Sequence, residues 1–261
     1  MTKKALNVLE ISLKLRFLQN FLLLSVFKTS LKEGRFMIPP KKSQKQTKQG
    51  FFITIEGGEG VGKSSFVKGL QERLSKSHRH FFVTREPGGT SISEALRGIF
   101  ASFPVTNPYS ELFILSASRL EHINQKILPA LSQGKIVLCD RFTDSTRVYQ
   151  GALGGVPEKE LENILALSTQ GLSPDITFIL DCPTEVSLKR LKNRSAHLEE
   201  SATKRYDEAS VDFHKKVRES FQNLANKNHK RIVQLDAQKP LDDLIEEALV
   251  TINQKMKQIN D

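Results

Sequence analysis

Phe51-Phe52-Ile53-Thr54-Ile55-Glu56 runs directly into Gly57-Gly58-Glu59-Gly60-Val61-Gly62-Lys63-Ser64, an apolar strand feeding a complete G-x-x-x-x-G-K-S loop. In such a loop the glycines let backbone N–H groups curl around a phosphate. Lys63 can reach the β- and γ-oxygens, and the Ser64 hydroxyl is placed for Mg2+. So short a pattern also arises by chance, and its setting decides. β-Branched and aromatic residues precede it, and an amphipathic stretch with Phe66, Leu70 and Leu74 follows. The chain is therefore expected to hold a nucleotide by its phosphates, through Gly57, Gly58, Glu59, Gly60, Val61, Gly62, Lys63, Ser64 and Ser65.

Outward from this loop, apolar runs of strand length recur at Phe81–Thr84, Ile136–Cys139, Ile176–Leu180 and Ile232–Leu235. Helix-length segments separate them, among them Ser91–Ser102, Ser110–Ser132, Pro157–Thr169 and Pro240–Lys257. That alternation predicts an α/β fold in three layers, a parallel sheet covered by helices on both faces. Right-handed crossovers then bring ligands to the carboxyl ends of the strands. Asn193 to Asp207 is polar, charged and without an apolar period, which suits either a mobile lid or a plain solvated loop.

The formal charge of +10 invites a nucleic-acid partner, but its distribution argues otherwise. Residues 1–50 hold nine Lys, two Arg and two Glu, leaving 28 basic and 27 acidic residues in 51–261. The globular part is almost neutral, so neither nucleic acid nor membrane is expected as a partner. Leu6 to Phe27 is apolar-rich, yet Glu10, Lys14, Arg16, Gln19 and Asn20 make it too polar for a spanning helix. Residues 1–50 are read as a basic extension: a disordered arm, an amphipathic surface helix, or residues upstream of a true start at Met37. The last is preferred, and intact mass of the native protein tests it. Cys139 and Cys182 each end an apolar run and fit buried thiols in a reducing cytoplasm. No C-x-x-C or Cys/His cluster points to zinc.

Lys135-Ile136-Val137-Leu138-Cys139-Asp140 is a strand ending in an acid, which makes Asp140 a candidate to orient Mg2+ with Ser64. Arg141 follows it and would aim a guanidinium at a second anionic group, unless the two form a structural pair. Asp181 ends a similar run but leads into Cys182-Pro183, and is read as structural. Thr84-Arg85-Glu86-Pro87-Gly88-Gly89-Thr90 leaves the second strand through a rigid turn. Arg85, Glu86 and Pro87 are placed there to meet a small polar substrate, or Arg85 and Glu86 pair or cap the next helix.

These motifs together resemble the thymidylate kinase family from about residue 51 to the C-terminus. The resemblance rests on the loop, on Thr84 to Thr90, on Ser118-Arg119-Leu120-Glu121, and on Asp140-Arg141-Phe142 with Ser145-Thr146 and Tyr149-Gln150-Gly151. It implies a five-stranded parallel sheet, a homodimer, and ATP, Mg2+ and dTMP as ligands. By matching position, Glu59 would approach the acceptor sugar 3′-hydroxyl or a magnesium-bound water. Arg97, Arg119 and Arg141 would surround the monophosphate, Thr146 and Gln150 would meet the thymine edge beside Ser145, and Tyr149 would pack on the sugar. The family commonly carries Phe where this chain has Leu115, and Phe113 is two residues away, on another side of a helix. Gly60 stands where some members place a catalytic arginine, so the lid is expected to supply it. Arg190 would help hold ATP, and Lys63, Arg141, Arg194 and Arg205 are the catalytic candidates. Leu112, Ile123 and Ile127 were natural choices for a dimer face. Other readings left open are a kinase of another pyrimidine monophosphate or a deoxynucleoside, and a regulatory ATPase.

Overall fold

The computed structural model describes residues 50–77, 79–103, 105–195 and 204–260. The N-terminal extension and the middle of the expected lid lie outside these residues.

β1 (Phe51–Glu56), β2 (Phe81–Arg85), β3 (Ile136–Asp140), β4 (Ile176–Asp181) and β5 (Ile232–Asp236) form one sheet in the order β2-β3-β1-β4-β5. Every pairing is parallel, as a sheet with helical crossovers requires. Each strand runs one residue beyond its apolar run, and each added residue is charged: Glu56, Arg85, Asp140, Asp181 and Asp236. Ladder hydrogen bonds are indifferent to side-chain polarity, so the charged residue stays in the sheet and marks its carboxyl edge. There Asp140 is in register with both Ile55 and Arg85, which brings the first three strand ends side by side.

The helices are α1 (Lys63–Lys76), α2 (Ser91–Ser102), α3 (Pro108–His122), α4 (Leu128–Ser132), α5 (Thr143–Thr146), α6 (Glu158–Thr169), α7 (Thr184–Ser195), α8 (Lys204–Asp207), α9 (Val211–Lys227) and α10 (Leu241–Asn260). On one face of the sheet, Phe51, Ile53 and Ile55 meet Phe66, Leu70 and Leu74 of α1 and Ile245, Ala248 and Ile252 of α10. On the other, Phe52, Val137 and Cys139 meet Ile123, Ile127 and Leu131, while Ile179 meets Val217 and Phe221 of α9. Burying each such side chain stabilises the fold by about 1.5–3 kcal/mol, which is why truncating Leu70 or Phe178 would be costly. Both cysteines are free and buried.

The helix expected over Ser110–Ser132 starts earlier, where Asn107 caps the Tyr109 N–H, and it is not continuous. A π-helical turn, Ile123–Ile127, joins α3 to α4. Pro129 has no N–H to give the ladder, and the wider turn ahead of it accommodates that loss while keeping Ile123 and Ile127 inward. This overturns the choice of Leu112, Ile123 and Ile127 as a dimer face, because all three are fully buried. The exposed apolar residues nearby are Phe113, Leu120 and Leu167, at 58%, 37% and 76% exposure. Asp181 is structural, as expected: Arg218 donates to it at 2.8 and 2.9 Å and Gln222 at 3.1 Å.

Candidate active site

α1 begins at Gly62, which has a left-handed φ of 104° and offers no side-chain cap. The first N–H groups of the helix are thus left for a ligand. Lys63 folds back over the loop, donating to the carbonyls of Gly57 at 2.9 Å and Gly58 at 2.6 Å. Burial, helped by the charge of Arg141, lowers its ammonium to about 8. Its native partners are neutral carbonyls, so arriving phosphate oxygens offer a better electrostatic match.

A cavity of about 730 Å3 opens above the carboxyl edge of the sheet. Of the expected site residues, all line it except Gly57 and Gly58, whose carbonyls hold Lys63, and Arg194 and Arg205, whose side chains lie outside the description. Its volume lies in the upper part of the range usual for small-molecule sites.

Arg141 occupies the centre. Its backbone is left-handed, with φ 67°, a conformation that costs a non-glycine residue about 1–3 kcal/mol. Glu56 offsets that cost: its Oε1 accepts from the N–H of Phe142 at 2.8 Å and of Ser145 at 3.2 Å. Its Oε2 takes the Ser145 hydroxyl at 2.6 Å, and that hydroxyl in turn accepts from Arg141 Nη1 at 3.0 Å. Arg141 Nη2 donates to Glu59 Oε1 at 3.0 Å, and the Tyr149 hydroxyl donates to the same oxygen at 2.7 Å. Burial opposes the charge on Arg141, but Tyr149 and Glu59 outweigh it and the guanidinium is held cationic. Burial likewise works against the Glu59 carboxylate, and Arg141 and Lys63 overcome it and lower its pKa. Glu59 Oε2 remains buried and without a partner.

Arg119 is 3% exposed, not the solvated helix arginine that is its default. Its Nε donates to Glu86 at 2.8 Å, and its Nη2 to Thr146 Oγ1 at 2.9 Å and the Phe142 carbonyl at 3.3 Å. Nη1 has no partner. This groups Arg119 with Thr146, at the expected base edge. Gln150 belongs to the same wall and donates its amide N–H to Glu111 at 3.0 Å. Arg97 donates to the Pro87 carbonyl at 3.0 Å, and burial together with the charge of Arg85 lowers its pKa, with Glu94 and Asp140 offsetting part of the shift. Arg85 itself is half exposed and pairs with Glu94 at 3.0 Å. Arg190 ties the loop to the far wall, through the carbonyls of Val61 at 3.3 Å and Ala237 at 2.9 Å. Leu115 lines the cavity while Phe113 faces outward, so Phe113 does not stand in for an aromatic there.

The matching family model, thymidylate kinase, covers residues 55–248. A thymidylate kinase of Chlamydia trachomatis serovar D is 41% identical over 204 residues, 77% of this chain and 98% of its own length. One from Ligilactobacillus salivarius is 39% identical over 211 residues, 80% of this chain and all of its own. The chain belongs to the thymidylate kinase family. A crystal structure of thymidylate kinase from Ehrlichia chaffeensis superposes with a TM-score of 0.62 at 31% identity, over 78% of this chain and 98% of that one. The fold is thus that of a thymidylate kinase, and the chain is an ATP-dependent kinase acting on dTMP.

Several residues of this thymidylate kinase site escaped the reading of its sequence. Glu56 looked like the end of a strand, and His122 lay unremarked inside the helix expected over Ser110–Ser132. Phe100, Tyr206, Lys239 and Leu241 also line the cavity. Tyr206 packs on Tyr149 with ring centroids 4.9 Å apart, which seats the end of the lid stretch in the site. Lys239 and Leu241 follow β5, and their place after a strand's carboxyl end was the signal available.

Proposed function

We propose that the cavity takes ATP and dTMP end to end, with the residues of the phosphate loop on one and those around Arg141 on the other. One observation carries this: the loop, the cations Arg97 and Arg141, and the base-edge group of Arg119, Thr146 and Gln150 line one continuous space. Lys63 leaves the Gly57 and Gly58 carbonyls for the β- and γ-oxygens of ATP. The γ-phosphoryl moves in line to the acceptor phosphate, and Arg141 neutralises charge shared by donor and acceptor. Glu59, with Oε1 held by Arg141 and Tyr149, presents Oε2 to the acceptor sugar 3′-hydroxyl. Tyr149 packs on that sugar, where it hinders a 2′-hydroxyl. Arg194 and Arg205, from the lid, complete the cations around the transferring group.

Arg119 is assigned to the base instead of the monophosphate. With Nε and Nη2 spent inward, the unpartnered Nη1 can only donate, which suits the carbonyl oxygen at position 4 of a 4-oxo pyrimidine and not the amino group that a 4-amino pyrimidine carries there. Leu115 covers the ring without an aromatic face. Arg97 and Arg85 are left to the monophosphate.

The residues fit a magnesium ion held by Ser64 and Asp140. Asp140 Oδ1 is buried without a partner, and the Ser64 hydroxyl lines the same cavity. Among the described residues no group of three or more His, Cys, Asp or Glu could hold a metal alone, in keeping with an ion that binds through one or two protein oxygens and phosphates. An ion held by these two residues would supply positive charge against the transferring phosphates.

A homodimer is proposed through α3, where Phe113 and Leu120 lie seven residues apart on one exposed face. Among the described residues no helix is long and apolar enough to cross a membrane. Free buried thiols and a need for ATP favour the cytoplasm. The test is ADP formation from ATP with dTMP, dUMP, UMP or dCMP as acceptor. dTMP is expected to be preferred and dCMP poorest; hydrolysis independent of acceptor would overturn the assignment.

A further inference from the structure

Behind Arg119 lies a chain of three side chains from three elements, buried at His122 and Glu86 and partly so at Thr84. His122 Nε2, at the end of α3, is 2.6 Å from Thr84 Oγ1 on β2, and its Nδ1 is 3.1 Å from Glu86 Oε1 in the following turn. Glu86 Oε2 accepts from Arg119 Nε at 2.8 Å. His122 is wholly buried, and Glu86 and Arg119 nearly so. The ring is also seated by backbone: a Cβ at Gly89, where φ is 89°, would lie 2.6 Å from its Cδ2 and Nε2.

A carboxylate only accepts, so Nδ1 carries the hydrogen toward Glu86. In the neutral ring Nε2 is then free to accept from the Thr84 hydroxyl. A glutamate held through one oxygen retains rotation about its terminal torsion, and a second bond on the other oxygen removes it. The guanidinium is a rigid plane, so fixing Nε and Nη2 fixes where Nη1 points.

We propose that His122, braced by Thr84, is a positioning residue for acceptor recognition. It locks Glu86 so that Arg119 aims its unpartnered Nη1 at a carbonyl oxygen of the base and against an amino group in the same place. This rests on the assignment of Arg119 to the base.

The test compares His122→Leu, His122→Asn and His122→Gln in steady-state kinetics with dTMP and dCMP. Asn places an N–H near the Nδ1 position and keeps the bond to Glu86, whereas Gln reaches Thr84 and loses Glu86. His122→Leu and His122→Gln are expected to raise the dTMP KM about tenfold, leave the ATP KM within about twofold, and narrow the dTMP-over-dCMP preference about tenfold. His122→Asn should recover most of both. Melting temperatures are recorded for all, and the His122→Gln and His122→Asn pair carries the test if His122→Leu does not fold. A lower melting temperature with unchanged KM and unchanged preference would leave His122 as filler and overturn the proposal. Arg119→Leu separates the two levels. An unchanged preference there sinks the base assignment itself, and a changed one with inert His122 variants sinks only the positioning role.

Discussion

Glu56 closes β1 wholly buried, takes three hydrogen bonds from the Phe142–Ser145 turn, and so holds Arg141 in its left-handed conformation. Burial first, and the charge of Asp144 second, raise its carboxyl to about 7. The folded protein therefore keeps a proton there that the unfolded chain releases near pH 4.5. Between those values the native state binds more protons, so stability falls as pH rises through about 7, by up to about 3 kcal/mol, and is flat above. Glu56→Gln keeps an acceptor for both N–H groups and cannot ionise, so it should flatten that slope. Urea denaturation at pH 5 and pH 8 measures it, and equal slopes in the two proteins would contradict the account. The sequence showed Glu56 only as the residue before the glycines. Its partners are 86 and 89 positions away, and no local pattern announces them. Arg141, Asp140 and Lys63 were legible as candidates because motif spacing alone brings them to one cavity. Arg119 was legible as a candidate too, but its bond to the buried Glu86 was not.

At the scale of elements, α7 and the loop at Gly60 constrain each other. A Cβ at Gly60 would collide with the Ser187 carbonyl of α7 and crowd Leu191, and φ there is 74°. A side chain at this loop position would force α7 away, which is the physical reason a loop arginine is foreign to this chain. The proposal therefore looks for the catalytic cation at the end of α7 and beyond it, with Arg194 in the last turn of α7 and Arg205 in α8. Arg194→Ala or Arg205→Ala is expected to lower kcat by about 10²-fold or more, with little change in the dTMP KM, as loss of a transition-state contact does. Unchanged turnover in both would refute a catalytic lid, and Gly60→Arg should not rescue either one. Existence and type of the elements were legible from periodicity. The π turn was not, because an apolar period of three to four residues continues through it, and only Pro129 hinted at a break.

For the whole molecule, five apolar runs separated by helices foretold the layered sheet, but not which strands neighbour which. A run reports that its strand is buried on both faces and carries no label for its partners. Burial also settled the outer surface: Leu112, Ile123 and Ile127 are core, and Phe113, Leu120 and Leu167 are what α3 and α6 show to solvent. Phe113→Lys with Leu120→Lys should shift the protein toward monomer in sedimentation at micromolar concentration while leaving its melting temperature nearly unchanged. A monomeric parent chain would end the dimer proposal. The central place of β1 has one more consequence, for the protein's birth on the ribosome. The strand that leads into the phosphate loop pairs only with β3 and β4, never with β2, its neighbour in the chain. One edge therefore stays open until β3 is complete at residue 140 and the other until β4 is complete at residue 181, the latter roughly 6–25 s after residue 56 at ordinary rates of synthesis. Through that interval the nascent chain exposes an edge of a largely apolar strand, and ATP has no finished cradle to enter.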